Sequence, residues 1–267
     1  MLSKQLDLSS GKFQSTSFDL SMLNSYDVGS GEGRGISLHE LSNKNKSITV
    51  KPDMAGGCDG VVLDANAWLP AAAAEMNISP DIRDYVMVPT PALITDLPNT
   101  NGDSASLKDL LRFNTKMGRQ AYKTFQGKPT FVEHDNKDHT KARGIILDAY
   151  LKPLKGFRGD LAKLVLLLAY DRTRDPEACN KILTNRCNTH SVGFYYTSYT
   201  CSICGHTTHQ DTMQLCSHTR LMKKPYLLNG RLCYRWCHDI TGFECSQVDN
   251  PAYVSNQHNP NNILMAR

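Results

Sequence analysis

Thr189-His190-Ser191-Val192-Gly193-Phe194 is the stretch on which the fold reading turns. Apolar and small or polar residues alternate along it, as they do in a strand with one buried face. The alternation runs on through Tyr195, Tyr196 and Tyr199, which puts Val192, Phe194 and Tyr196 on one face and Ser191 with Gly193 on the other. His190 then points away from the Ser191 face.

Further strand patterns lie on either side. Gly144 to Leu151 alternates, Pro129 to Glu133 is short, and Glu244 to Val248 is stopped by Asn250-Pro251. Tyr85 to Val88 reads as a short strand ended by Pro89. Ala162 to Tyr170 is a continuous apolar run, which fits a strand buried on both faces or a buried helix. Helix signals are fewer. Ser106 with Asp109 three residues on predicts an N-cap. A stripe of Leu107, Leu110, Leu111, Met117 and Ala121 predicts a helix closed by Gly127 and Pro129. Asp175-Pro176-Glu177 opens another helix, which ends near Asn185. Ala71 to Ala74 seeds a short one ending near Pro80. Strands with a few inserted helices predict an α+β fold built on a mixed sheet or barrel, not a parallel βαβ sheet.

Ser, Gly, Asn and Lys dominate from Ser9 to Lys51, so residues 1–80 are expected to form a flexible or weakly ordered amino-terminal arm. The main domain is expected over 81–255, with an insert at 200–240 and a carboxy-terminal tail at 256–267. The 267 residues carry a net charge of +4, too mild to mark a nucleic-acid or acidic-membrane partner. No apolar run is long enough to span a bilayer, and the amino-terminal stretch has no signal-peptide core, which predicts a cytosolic protein. Nine cysteines is an odd number, and in a reducing compartment it favours metal ligands and buried thiols over a disulfide framework.

The insert carries Cys201-Ser202-Ile203-Cys204-Gly205 and then Cys216-Ser217-His218. A Cys-x-x-Cys-Gly turn aims two thiolates at one centre, and Cys216 with His218 completes a tetrahedral set. A structural zinc at Cys201, Cys204, Cys216 and His218 would replace the core that so short a loop cannot build. Cys233, Cys237 and His238 could replace one of these ligands or form a second site. No His-Glu-x-x-His arrangement points to catalytic zinc.

Ser191 has the means to act as a nucleophile if an imidazole takes its proton and an acid orients that imidazole. His134, in Glu133-His134-Asp135-Asn136, is the candidate base, with His139 a rival in the same turn. Glu244 and Asp249 are the candidate acids. Gly193 leaves room for a substrate backbone near Ser191.

Several stretches together resemble the prohead (capsid maturation) proteases of tailed bacteriophages. They are Gly127-Lys128-Pro129 through Asn136, Lys141-Ala142-Arg143-Gly144 through Ala149, His190-Ser191-Val192-Gly193-Phe194, and Phe243-Glu244-Cys245 through Ala252. The loop Leu97-Pro98-Asn99-Thr100-Asn101-Gly102 fits as well, so the resemblance covers about residues 85 to 255. It implies a serine endopeptidase with the fold of herpesvirus maturation proteases, a small mixed or antiparallel β-barrel ringed by helices, here with a zinc-knob insert. It implies Ser191 as nucleophile, His134 as base and Glu244 as the orienting acid. It also implies scaffold, core and major capsid proteins as substrates, self-cleavage, a homo-oligomer, and a place in the host cytoplasm inside the assembling procapsid.

Two rival readings come from the residues themselves. Arg220-Leu221-Met222-Lys223-Lys224 with Tyr226 would suit a non-enzymatic zinc-bearing adaptor or nucleic-acid binder. Cys187 near His190 would suit a thiol enzyme.

Overall fold

The computed structural model describes residues 47–50, 61–154, 161–253, 256–258 and 263–265. Most of the expected amino-terminal arm lies outside the described residues. Strands β1 (Ser47–Val50) and β2 (Val61–Asp64) pair antiparallel. Helix α1 (Ala65–Met76) follows and ends as Asn77 takes a left-handed φ of 55°. Leu69, Ala72, Ala73 and Met76 of this helix are buried, so the packed region starts upstream of residue 81.

Strand β3 (Tyr85–Ile94) runs through Pro89 and Pro91 instead of stopping at Pro89. Its inner edge pairs with β9, and its outer-edge partner reaches only Val86 and Met87. Proline is tolerated in a strand where the ladder does not need its missing N–H, and β3 keeps its pairing with β9 through both prolines. After β4 (Asp103–Ala105), Ser106 caps helix α2 (Leu107–Leu111) as its hydroxyl accepts from the Asp109 amide. The long helix expected over this region does not form. Arg112 turns extended (ψ 139°), and Phe113–Asn114 (β5) pairs with Arg119–Gln120 (β6) around a left-handed Gly118. A short 3₁₀ helix, Ala121–Phe125, supplies Ala121 and Phe125 to the core.

Strands β7 (Pro129–Val132), β8 (Gly144–Pro153) and β9 (Ala162–Asp171) build the sheet centre. The Ala162–Tyr170 run is a strand, hydrogen-bonded to β8 on one side and β3 on the other. Helix α3 (Pro176–Leu183) starts as expected, with the Asp175 side chain accepting from the Ala178 amide and Pro176 in the first turn. Then come β10 (His190–Tyr195), β11 (Ser198–Cys201), β12 (Thr207–His209), β13 (Tyr226–Leu228), β14 (Arg231–Cys233), β15 (Arg235–His238), β16 (Thr241–Gln247) and β17 (Leu264–Met265).

The main sheet has seven strands in the order β10-β16-β7-β8-β9-β3-β17. It is mixed: β16 and β7 run parallel, and its other pairs are antiparallel. It curls into a half-barrel that brings β10 beside β3 without a ladder between them, and the Asn256 amide spans the gap by donating to the Ala92 carbonyl. The chain is therefore α+β and mostly strand. The described residues hold three α-helices. Val88, Leu93, Ile146, Leu164, Leu166, Leu168 and Tyr170 fill the concave core with Phe125 and Ile182. A second sheet, β12-β11-β15-β4, carries the insert. The expected tail is part of the fold: Asn256 and His258 are buried, and β17 pairs with β3.

Candidate functional site

The order of strands puts β16 between β10 and β7, and this brings together residues far apart in sequence. Ser191 pairs with Ser246 and Gly193 with Glu244 across the antiparallel β10–β16 ladder. Directly opposed residues share a face, so Ser191, Gly193, Glu244 and Ser246 rise from one surface. On the other side β16 pairs with β7, which ends at Val132. Glu133 and His134 then take consecutive left-handed φ values of 49° and 55°. Such residues cost about 1–3 kcal/mol each unless the surroundings hold them. Here the Glu133 amide donates to the Gln247 carbonyl at 2.9 Å, and the Glu133 carboxylate accepts from the Asp249 amide at 2.8 Å. The turn swings His134 back over β16.

His134 Nδ1 lies 2.8 Å from Glu244 Oε1. Ser246 Oγ donates to the other carboxylate oxygen, so both oxygens of this buried acid are engaged. The hydrogen bond to Glu244 raises the His134 pKa above its ordinary value against the opposing pull of burial. With Nδ1 committed to the carboxylate, Nε2 is the nitrogen left to exchange a proton. Neither His134 Nε2 nor the Ser191 hydroxyl has a hydrogen-bond partner among the described residues. Ser191 and Glu244 are diagonal neighbours on the sheet face, a spacing of about 7–8 Å that one imidazole spans.

Asp249 is exposed and engages this turn through its backbone, not its carboxylate. His139 is exposed on a 3₁₀ turn away from Glu244. Gly193 does not leave space for a substrate: a Cβ there would lie 2.4 Å from Phe243 Cζ and 2.6 Å from Glu244 Oε1. Phe243 is the unpaired residue of a β-bulge, and its ring lies on the face that carries Ser191 and Glu244. Tyr195 stacks on it with ring centroids 4.4 Å apart. Sequence pattern did not single out Phe243 or Tyr195 for the site, because a bulge breaks the alternation that assigns faces.

No family model, curated protein or solved structure matches this chain. The geometry therefore carries the functional argument.

The insert contains a second cluster. Donor atoms of Cys201, Cys204, Cys216 and His218 all lie within 4.8 Å of one another, and they can hold a metal ion. The turn Cys201–Gly205 closes as the Gly205 amide (φ 71°) donates to the Cys201 carbonyl at 3.0 Å, which aims the first two thiols inward. His218 Nδ1 is buried with no protein partner. Burial opposes ionisation of Cys216, but hydrogen bonds from the Thr219 hydroxyl and amide outweigh it and bring this thiol down to about 6. Three sulfurs and an imidazole fit a soft or borderline ion in tetrahedral geometry.

Cys237 and His238 do not join this cluster. Both ring nitrogens of His238 are taken, by Asp109 at 3.1 Å and Thr200 at 2.8 Å, and Cys237 is buried beside Asp103. Cys233 is buried with its sulfur 3.8 Å from the His218 carbonyl. Cys187 faces Thr189 and the Val248 carbonyl. His190 turns to the face opposite Ser191 and packs against His258, with centroids 5.4 Å apart. Burial pushes its pKa down to about 3, so it offers Cys187 no imidazolium.

Proposed function

We propose that this protein is a serine endopeptidase of the prohead-protease type, with a fold related to the herpesvirus maturation proteases. The observation that carries the reading is the His134–Glu244 pair, held on the sheet face that also bears Ser191. Ser191 Oγ attacks the scissile carbonyl carbon while His134 Nε2 takes its proton. Glu244 holds the imidazole by Nδ1 and stabilises the imidazolium. The imidazolium then protonates the departing amine nitrogen as the C–N bond breaks and leaves an acyl-Ser191. Water, deprotonated by the same nitrogen, hydrolyses the ester and restores the hydroxyl. The substrates are scaffold, core and major capsid proteins inside the assembling procapsid, with self-cleavage in a homo-oligomer.

Zinc at Cys201, Cys204, Cys216 and His218 is structural in this reading. Bound, it supplies a four-way cross-link in place of an apolar core. Strand β11 continues from β10, and β15 leads into β16, so the insert ties together the two strands that carry Ser191 and Glu244.

Co-expression with the cognate scaffold and capsid proteins tests the peptidase. Discrete fragments with wild type and none with Ser191→Ala are expected; identical fragments in both remove Ser191 as nucleophile. One observation favours a second reading: Arg220, Lys223, Lys224 and Leu221 (87% exposed) stand out from the insert, as a zinc-bearing nucleic-acid binder would present them. That reading requires salt-dependent oligonucleotide binding that Ser191→Ala leaves unchanged.

A further inference from the structure

We infer that the aromatic shelf beside Glu244, with the cavity it opens into, is a subsite for an aromatic or large aliphatic side chain of the polypeptide substrate. The inference rests on the peptidase reading and adds a substrate class to it. The shelf starts at the catalytic face, where the Phe243 ring covers Gly193 next to the Glu244 carboxylate. Tyr195 extends it, stacked on Phe243 at an interplanar angle of 27° and 64% exposed. Beyond Tyr195 lies a cavity of about 510 Å³, of the size that binds small ligands. Phe113, 59% exposed on the β5–β6 hairpin, lines the same cavity. Two large exposed rings on one cavity leave apolar area in water that a bound side chain would cover.

The polar wall of the cavity is largely satisfied without a ligand. Arg112 pairs with Asp239 at 3.1 Å, and Asp239 also accepts from Thr197 at 2.8 Å. Asn114 donates to Thr241 at 2.8 Å, and Asp109 holds His238. These groups form a fixed frame, and the rings, beside Lys116 and Gln210, are what a ligand meets on entering. The frame also joins the hairpin to the β15–β16 turn, which keeps Phe113 in register with the catalytic strands.

The test uses full-length protein carrying Ser191→Ala, so that binding is read apart from cleavage. Short fluorescent peptides that differ only in a central Phe, Leu or Ser are titrated by anisotropy. The Phe and Leu peptides are expected to bind about tenfold tighter than the Ser peptide. That preference should fall to about twofold with Tyr195→Ala or Phe113→Ala added; both rings are exposed, so the core is untouched. Equal affinities, no binding by any peptide, or a preference that survives both ring deletions overturns the subsite. Ring-dependent Phe binding alongside scaffold cleavage that ignores Ser191→Ala would leave the subsite standing and remove the catalytic reading.

Discussion

Glu244 lies directly across the β10–β16 ladder from Gly193, and the missing side chain of Gly193 is the condition for its carboxylate to sit where it does. The oxygen that a Cβ would crowd, Oε1, is the one that holds His134 Nδ1. A glycine beside the serine thus acts on the third member of the constellation.

Gly193→Ala should therefore impair catalysis by moving the acid. The new methyl meets the Glu244 carboxylate on one side and the Phe243 ring on the other, and the carboxylate is also held by His134 and Ser246. A misplacement of about 1 Å at such a site costs on the order of a hundredfold in rate. The expected result is a fall of that size in kcat/KM on scaffold protein, with a loss of about 1–3 kcal/mol in stability from overpacking. Unchanged turnover would show that the carboxylate does not depend on this space.

The His134–Glu244 bond also fixes a pH dependence. His134 must be neutral to accept the serine proton, and its pKa is raised above 6.5 first by the hydrogen bond to Glu244. Activity should rise with pH through that elevated value. In Glu244→Gln the main cause of the rise is gone while burial still favours the neutral ring, so the limb should move to lower pH. Turnover should drop by about 10³–10⁴ as the tautomer is no longer enforced. Because the folded pKa exceeds the unfolded one, protonation of His134 stabilises the fold below pH 6.5, and this contribution fades as pH rises through the folded value. A pH–rate profile with the same limb in both proteins would exclude His134 as the base.

Locally encoded features were legible in the sequence. The Ser106 and Asp175 caps depend on side chains three residues from the amides they hold, and β8 forms over the expected residues, although 144–150 are buried on both faces instead of alternating. Features set by partners were not. The ambiguous run Ala162–Tyr170 becomes a strand because β3 and β8 flank it. Pro89 and Pro91 lie inside a strand because β3 pairs with β9 on both sides of them, which no window of sequence states. The stripe from Leu107 to Ala121 matched one helix by spacing, yet at Arg112 and Gly118 it breaks into a short helix and a hairpin. At the site, Glu244 could be ranked against Asp249 only weakly by strand parity. The pairing of β16 with β7, across more than a hundred residues, is what seats Glu244 under His134.

The metal cluster gives a prediction that needs no catalysis. Wild-type protein should carry one equivalent of zinc, read by elemental analysis, and chelation should lower its melting temperature. Cys204→Ser should lose the metal. His209→Gln, an exposed histidine of the same insert outside the cluster, should keep it. Full zinc content in Cys204→Ser would move the ligand set elsewhere, with buried Cys233, whose sulfur lies 3.8 Å from the His218 carbonyl, a candidate replacement.

The last prediction concerns a buried ion pair under the site. Lys123 Nζ lies 2.7 Å from Asp148 Oδ1, with both residues under 10% exposed. Burial pulls the Lys123 pKa down, and Asp148 works against that pull. The same Asp148 oxygen accepts from the Ala149 amide at 2.7 Å, at the β-bulge where β8 shifts against β9. Lys123 belongs to the 3₁₀ helix whose Thr124 hydroxyl accepts from the Gly242 amide on β16. The pair therefore anchors the helix that packs against β16. Removing one partner takes the ion pair away from the other buried charge, and such breaks cost about 3–5 kcal/mol. Asp148→Ala is expected to lose stability of that order in urea unfolding. Lys123→Met with Asp148→Leu should recover most of it, because two apolar chains of similar size leave no uncompensated charge. If the double variant is as unstable as the single one, the Ala149 bond and the bulge, not the charge pair, are what Asp148 maintains.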